Sequence, residues 1–138
     1  MDPVVYRRAR HVISEIERTV HAAEGVRASN WPTVGQLMYA SHASLRDDYE
    51  VSCPELDTVV DIALSIGPRG GVHGCRMTGG GFGGCTVTLM RADAASAFRG
   101  AIAQTYEKQF GITPRIYSCE PSEGAAEVKN LETIPIAV

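Results

Sequence analysis

Apolar and polar residues alternate along the first part of the chain with the period of an α-helix. Between residues 4 and about 24, apolar side chains recur at steps of three and four, the spacing of one stripe on an amphipathic helix (Val5, Ala9, Val12, Ile13, Ile16, Val20 and Ala23). The opposite face carries charged side chains: Arg7, Arg8, Arg10, Glu15, Glu17 and Arg18. We therefore predict a long first helix with one apolar face and one charged face.

A second helix is predicted to follow a short connection. Asn30 can cap it, and Pro32 suits its first turn, where a missing backbone N–H costs little. Its apolar stripe consists of Val34, Leu37, Met38, Ser41 and Leu45. Residues 46–50 are predicted to form the loop that ends this helix.

The third helix is predicted to start at Ser52 or Cys53. Pro54 would occupy its first position, and the carboxylates of Glu55 and Asp57 would lie at the positive end of the helix dipole. The side chains expected to face inward are Leu56, Val59, Val60 and Ala63.

Beyond residue 66 the pattern changes from helical to extended. Glycines and a proline at residues 67–71 break the chain, and residues 72–77 and 85–89 are predicted strands on either side of a glycine loop at residues 79–84. Asp93 is predicted to cap a fourth helix that ends at Gly111, and residues 115–119 to form a further strand. Residues 121–128 suggest a turn with a short helical or extended piece, and residues 130–138 a tail. This order predicts an α+β fold with an antiparallel sheet packed with helices, and a ferredoxin-like arrangement fits it.

Composition and charge narrow the function classes. The chain has 138 residues, 44% of them apolar and 21% charged, which fits one globular domain. Its net charge of −3 gives no electrostatic reason to expect nucleic acid or an anionic membrane as partner. No apolar run is long enough to span a bilayer, and the N-terminus has no basic segment followed by an apolar one, so we expect a cytoplasmic protein. The four cysteines lack C-x-x-C spacing and are expected to be reduced, partly buried thiols.

The chemically suggestive segment is the glycine loop. Nine of the 14 glycines lie between Gly67 and Gly84, and such a run costs more backbone entropy on ordering than other residues would. The usual reason is a backbone with positive φ, or one that approaches a ligand closely, and consecutive N–H groups can form a concavity for phosphate. The alternative is a glycine-rich hairpin that binds nothing.

None of the common phosphate-binding motifs explains this loop. Gly79, Gly81 and Gly84 satisfy G-x-G-x-x-G, but the loop leads into a threonine-alternating strand instead of a helix, and no βαβ unit surrounds it. The loop has no lysine, which excludes a P-loop, and the downstream segments of a protein kinase are absent.

Three stretches resemble the GHMP kinases in their galactokinase form. Residues 76–87 (R-M-T-G-G-G-F-G-G-C-T-V) look like the third conserved motif of that family. Residues 7–12 (R-R-A-R-H-V) and residues 41–57 (S-H-A-S-L-R-D-D-Y-E-V-S-C-P-E-L-D) are similar to galactokinases specifically. The resemblance runs from about residue 6 to residue 128. It implies a GHMP kinase C-terminal domain over residues 1–129, with residues 130–138 left as a tail.

The resemblance implies an ATP- and Mg-dependent transfer of the γ-phosphoryl group to the 1-hydroxyl of galactose. It also implies a two-lobed enzyme of which this chain is the C-terminal lobe. The N-terminal sugar-binding segment, the G-L-S-S-S-A-type nucleotide loop and the catalytic aspartate of galactokinases have no match here. No catalytic residue and no metal ligand is therefore assigned to this chain. The residues expected near substrate and phosphate are Thr78, Gly79, Gly80, Gly81, Phe82 and Gly83.

We expect the isolated chain to be inactive, because phosphoryl transfer needs a phosphate cradle, a metal ligand and a positioned nucleophile at one site. Its partners would be the missing N-terminal kinase lobe and, in the complete enzyme, galactose and ATP. Two alternatives stay open at this point. One is a stand-alone ligand-binding module derived from a sugar kinase, and the other is an interaction domain that self-associates through the bared lobe interface.

Several polar residues near these motifs have structural interpretations. Asp47 and Asp48 are adjacent and point in different directions, so a salt bridge with Arg46 or helix capping is favoured over magnesium binding. Arg76 could neutralise phosphate, but a surface or interlobe ion pair is favoured for it. His11 and His21 are expected on the helix surface.

Overall fold

Helices and a β-hairpin make up the part of the chain that the structure describes. The computed structural model describes residues 1–120. The elements are α1 (Pro3–Arg27), α2 (Trp31–Ser44), a π-helical turn (Leu45–Tyr49), α3 (Pro54–Ile66), β1 (Val72–Thr78), β2 (Cys85–Met90) and α4 (Ala95–Phe110). The predicted α+β class is confirmed. The predictions for residues 121–128 and for the 130–138 tail lie outside the described residues. Within residues 1–120, no helix combines the length and apolarity that crossing a membrane requires.

Local capping chemistry explains where the helices begin and end. The Asp2 carboxylate accepts from the Val4 amide at 2.7 Å, and the Asn30 side chain accepts from the Thr33 amide at 3.3 Å. α3 begins at Pro54 as predicted, and α4 ends at Gly111, whose φ of 66° lies in the left-handed region.

Two predictions for the C-terminal part are wrong. Asp93 does not cap α4. It lies in a short 3₁₀ turn with its carboxylate on Arg91, and the N-cap is Ala94, which makes no side-chain bond. Residues 115–119 do not form a strand, because β1 and β2 pair only with each other among the described residues, so this segment has no strand partner there. Ile116 nevertheless packs against the core.

The hairpin and two helices enclose the main core. β1 and β2 are antiparallel, with Cys75 opposite Thr88 and a register irregularity between Val72 and Gly74. The core cluster consists of Val60, Ile62, Ala63, Val72, Cys75, Phe98 and Ile102. β2 alternates as predicted, but its threonine side faces this core, since the Thr88 hydroxyl donates to Cys75 Sγ at 3.1 Å and Val87 is exposed.

α2 crosses β1 with the two backbones in direct contact. A Cβ atom built on Gly35 would lie 1.9 Å from the His73 carbonyl oxygen, and one built on Gly74 would lie 2.5 Å from Gly35 Cα. Two glycines therefore form the crossing point, and neither position has room for a side chain.

α1 packs with its polar face inward. Glu15 accepts from Ser41 of α2 at 2.5 Å and pairs with Arg76 of β1 at 3.3 Å, and His11 is buried although it was expected on the surface. The apolar stripe faces outward, and its large residues are 49–64% exposed (Val5, Val12, Ile13, Ile16 and Val20). An amphipathic helix usually buries its apolar stripe, so α1 presents an apolar surface that nothing within residues 1–120 covers.

Candidate functional site

The glycine loop joins the two strands of the hairpin. Gly79, Gly81, Gly83 and Gly84 have φ values between 83° and 123°, and Phe82 has a φ of 58°. Residues other than glycine rarely adopt these conformations, so the four glycines are needed by the path of the backbone itself. Gly80 is the exception in the loop, because its φ is not positive.

The tip of the loop is fixed to Val51, which follows the π-helical turn. The Phe82 amide donates to the Val51 carbonyl oxygen at 2.8 Å. A Cβ atom on Gly81 would lie 2.2 Å from that same oxygen, so the two backbones meet without intervening side chains. Phe82 itself is 77% exposed, so it does not pack into the core of the described residues.

The rest of the loop faces open space. A Cβ atom on Gly79, Gly80, Gly83 or Gly84 would meet no heavy atom within 4 Å. At Gly80 neither the backbone conformation nor a neighbour in residues 1–120 requires glycine. A bare backbone with this freedom can accept a closely approaching ligand or polypeptide.

The strand that leads into the loop is held by a buried histidine. The Met77 amide donates to His42 Nδ1 at 3.3 Å, so Nε2 carries the proton of the neutral ring. Nε2 lies 3.1 Å from Asp57 Oδ1 but is not aligned for a good hydrogen bond, while the Ser52 hydroxyl donates to the same carboxylate oxygen at 2.5 Å. His42 thereby connects α2, α3 and the base of the loop.

Burial lowers the pKa of His42, an effect opposed by the nearby Asp57 and Asp61 carboxylates and reinforced by Arg46. Burial also lowers the pKa of His11. In the unfolded chain both rings protonate near their ordinary pKa of about 6.5. Below that pH the unfolded state binds more protons than the folded state, so the free energy of unfolding falls as the pH drops.

We expect His42→Gln to flatten this pH dependence. Between pH 6.5 and the lower pKa of the folded state, one histidine can change the free energy of unfolding by at most about 1.4 kcal/mol per pH unit. Urea unfolding at pH 5 to 8 measures it. The matched control is His21→Gln at an exposed position of α1, which should keep the wild-type slope. If the His42→Gln variant kept the wild-type slope, His42 would not be a cause of this pH dependence.

A second polar cluster links α1 to the π-helical turn. Buried Asp48 pairs with Arg10 and accepts from the Ser44 hydroxyl at 3.0 Å, and His11 Nδ1 lies 3.0 Å from the same hydroxyl. The hydrogen bond from Arg10 is the main reason that the pKa of Asp48 is lowered. The His11 ring stacks on Tyr49, with centroids 4.6 Å apart.

This cluster does not have the geometry of a nucleophilic triad. Ser44 lies between His11 and Asp48 and donates its proton to the carboxylate, whereas an activated serine donates to a histidine that is in turn oriented by the carboxylate. Ser44 is also buried. The cluster therefore holds the π-helical turn, and with it Val51, in place.

The carboxylates of Asp47 and Asp48 have different partners, as expected for adjacent residues whose side chains point in different directions. Asp47 is exposed and makes a bidentate pair with Arg46, at 2.8 and 3.1 Å, which confirms the predicted salt bridge. Arg76 does form an ion pair, but its partner is Glu15 of α1 within the described residues, at 3.3 Å. Within residues 1–120, no group of three or more histidine, cysteine or acidic side chains gathers around a common point.

The predicted loop residues lie together, but the sequence did not predict the two residues that hold the loop in place. Thr78 ends β1, and residues 79–83 form the loop and its tip. His42 and Val51 were not predicted to touch this loop, because both contacts join segments about 30 or more residues apart. The only available signal was that both residues belong to the galactokinase-like stretch at residues 41–57.

Comparison with known proteins identifies relatives of this arrangement. A family described as GHMP kinases C terminal matches residues 22–108. The structure of Lactococcus lactis galactokinase complexed with galactose is similar over 81% of this chain, with 46% sequence identity and a TM-score of 0.76. The chain covers only 28% of that enzyme's chain.

Proposed function

This chain belongs to the GHMP kinases as their C-terminal domain, and on that premise we propose that it is the C-terminal lobe of a galactokinase. The complete enzyme would transfer the γ-phosphoryl group of Mg-ATP to the 1-hydroxyl of galactose. The observation that carries this proposal is the 46% identity to Lactococcus lactis galactokinase over 81% of the chain. The resemblance of the 41–57 stretch to galactokinases supports the same choice.

The glycine loop would form one wall of the active site. Phosphoryl transfer depends mostly on positioning and on stabilising the charge of the transferred group. The loop suits such a role because its backbone is open around Gly79, Gly80 and Gly83 and is anchored at Val51 and Met77. We place Thr78, Gly79, Gly80, Gly81, Phe82 and Gly83 near the substrate and phosphate in the complete enzyme.

The adjacent carboxylates Asp47 and Asp48 do not fit a magnesium site or a catalytic base. Asp47 is held by Arg46, and Asp48 by Arg10 and Ser44, with the hydrogen bonds of these partners lowering the pKa of each carboxyl group. Both groups are therefore engaged as ion-pair partners. The metal ligands and the group that activates the sugar hydroxyl would come from the other lobe, and this chain by itself should be inactive.

We expect no galactose-dependent ADP production from the purified 138-residue chain. A fusion in which this chain replaces its counterpart in Lactococcus lactis galactokinase should turn over at a rate on the order of 1–100 s⁻¹, the usual range of kinases. A coupled ADP assay with and without galactose measures both. The control is the Lactococcus part alone, which should be inactive.

Either of two results would contradict the proposal. Turnover by the pure chain would show that it does not need a second lobe. A folded fusion that binds galactose and ATP without turnover would show that this chain cannot serve as the lobe of a galactokinase.

A further inference from the structure

An apolar groove runs along the outer face of α1 and ends at the segment after the π-helical turn. We call it the α1 groove and define it by its lining residues, which are six apolar or aromatic residues and one arginine (Val5, Arg8, Ala9, Val12, Ile13, Tyr49 and Val51). Ile13 is 62% exposed. The groove is lined almost entirely by apolar side chains, and exposed patches of this kind mark interaction surfaces.

The helix cannot turn to bury this stripe against its own domain. On its inner side, Glu15 bonds to Ser41 and Arg76, and His11 faces Ser44 at 3.0 Å. Rotating α1 would break these contacts and bury uncompensated charge, which is costly. The outward direction of the stripe is therefore a fixed property of the fold.

The charged residues around the groove are already paired. Arg7 and Arg8 both bond to Glu50, at 3.1 and 2.5 Å, and Arg10 pairs with Asp48. Three arginines therefore share two carboxylates, Glu50 and Asp48, which leaves one positive charge at the rim. The wall itself is apolar, so the groove suits apolar side chains.

The groove is continuous with the glycine loop through one residue. Val51 lines the groove with its side chain, and its carbonyl oxygen accepts from the Phe82 amide at 2.8 Å. A polypeptide seated in the groove would therefore contact the residue that holds the tip of the loop.

We propose that the α1 groove receives an apolar segment from the N-terminal part of a galactokinase-length polypeptide. The inference rests on the proposed function and adds the surface by which the two parts meet. It is supported by the size of the relative, since 72% of that chain lies outside the part matched here (100% minus 28%). A second copy of this chain would cover the same surface without supplying the groups that the site lacks.

Cysteine labelling tests the groove directly. Ile13→Cys places a thiol in the groove, and Leu64→Cys is the matched control on α3, where leucine is 52% exposed. Both variants are prepared in the 138-residue chain and in the full-length fusion, and maleimide modification is followed by peptide mass spectrometry. We expect the cysteine at position 13 to react at least ten times more slowly in the fusion, and the cysteine at position 64 to react similarly in both.

The labelling result is independent of catalysis. Protection at position 13 in an inactive fusion would support the groove while the proposed function fails. An active fusion that is labelled at position 13 as fast as the isolated chain would overturn the groove and leave the proposed function standing. Protection that appears only in the isolated chain and grows with its concentration would assign the groove to a second copy, which also overturns the proposal.

Discussion

Replacing Gly35 with alanine should destabilise the chain by about 3 kcal/mol, the upper end of the usual cost of overpacking a filled interior. The new Cβ atom would lie 1.9 Å from the His73 carbonyl oxygen and 3.1 Å from the Gly74 amide nitrogen. Backbone atoms in a strand cannot move aside as a flexible side chain can, so α2 would have to separate from β1. A loss of this size is a large part of the stability of an ordinary domain.

Gly100→Ala is the matched control for this prediction. Gly100 also lies within a helix, α4, but a Cβ atom there would meet nothing within 4 Å. Alanine should therefore stabilise the helix by about 0.5–1 kcal/mol, because it restricts the unfolded chain more than glycine does. Urea unfolding of both variants measures the difference. Equal stability of Gly35→Ala and wild type would show that the α2–β1 crossing is looser than the structure indicates.

Replacing Gly80 with alanine should reduce turnover of the full-length fusion by about 100-fold, the order of loss caused by a small misplacement of reacting groups. A Cβ atom built on Gly80 would meet no heavy atom within 4 Å, and Gly80 does not have positive φ, so alanine fits the isolated chain without strain. The free energy of unfolding of the isolated chain should therefore not fall, and alanine should raise it by at most about 1 kcal/mol through its effect on the unfolded chain. The expected loss of activity arises because the added methyl group would occupy the space that the loop keeps open for phosphate or the other lobe.

Gly81→Ala provides the contrast. Gly81 has a φ of 83°, and its Cβ atom would lie 2.2 Å from the Val51 carbonyl oxygen. Left-handed conformation alone should cost about 1–2 kcal/mol, so this variant should lose stability as well as activity. Normal turnover in Gly80→Ala would indicate that the open side of the loop contacts neither substrate nor partner.

These variants distinguish two reasons why a position in this chain is occupied by glycine. Gly35 and Gly81 are glycines because another part of the chain passes too close for a side chain. At Gly80, nothing in residues 1–120 gives such a reason. The sequence shows only which residues are glycines, and the distinction between them requires the positions of Val51 and His73.

Much of the local structure follows from the sequence because its causes are local. Asn30 and Pro54 lie at helix starts, and Gly111 at a helix end, as their backbone preferences predict. The strand–loop–strand pattern around residues 79–84 has the same local origin. Asp93 failed as a cap because the arginine two residues before it binds its carboxylate.

By itself, then, the sequence determined the order of the elements as far as α4, the glycine loop and the likeness to a kinase lobe, since these depend on neighbouring residues and on recognisable motifs. Only the tertiary structure decided which face of α1 is buried. Periodicity reveals that a helix has two faces, but the inner one is chosen by side chains from distant segments, here Ser41, Ser44 and Arg76. The polar face of α1 has its partners within this chain, and nothing within residues 1–120 covers its apolar face.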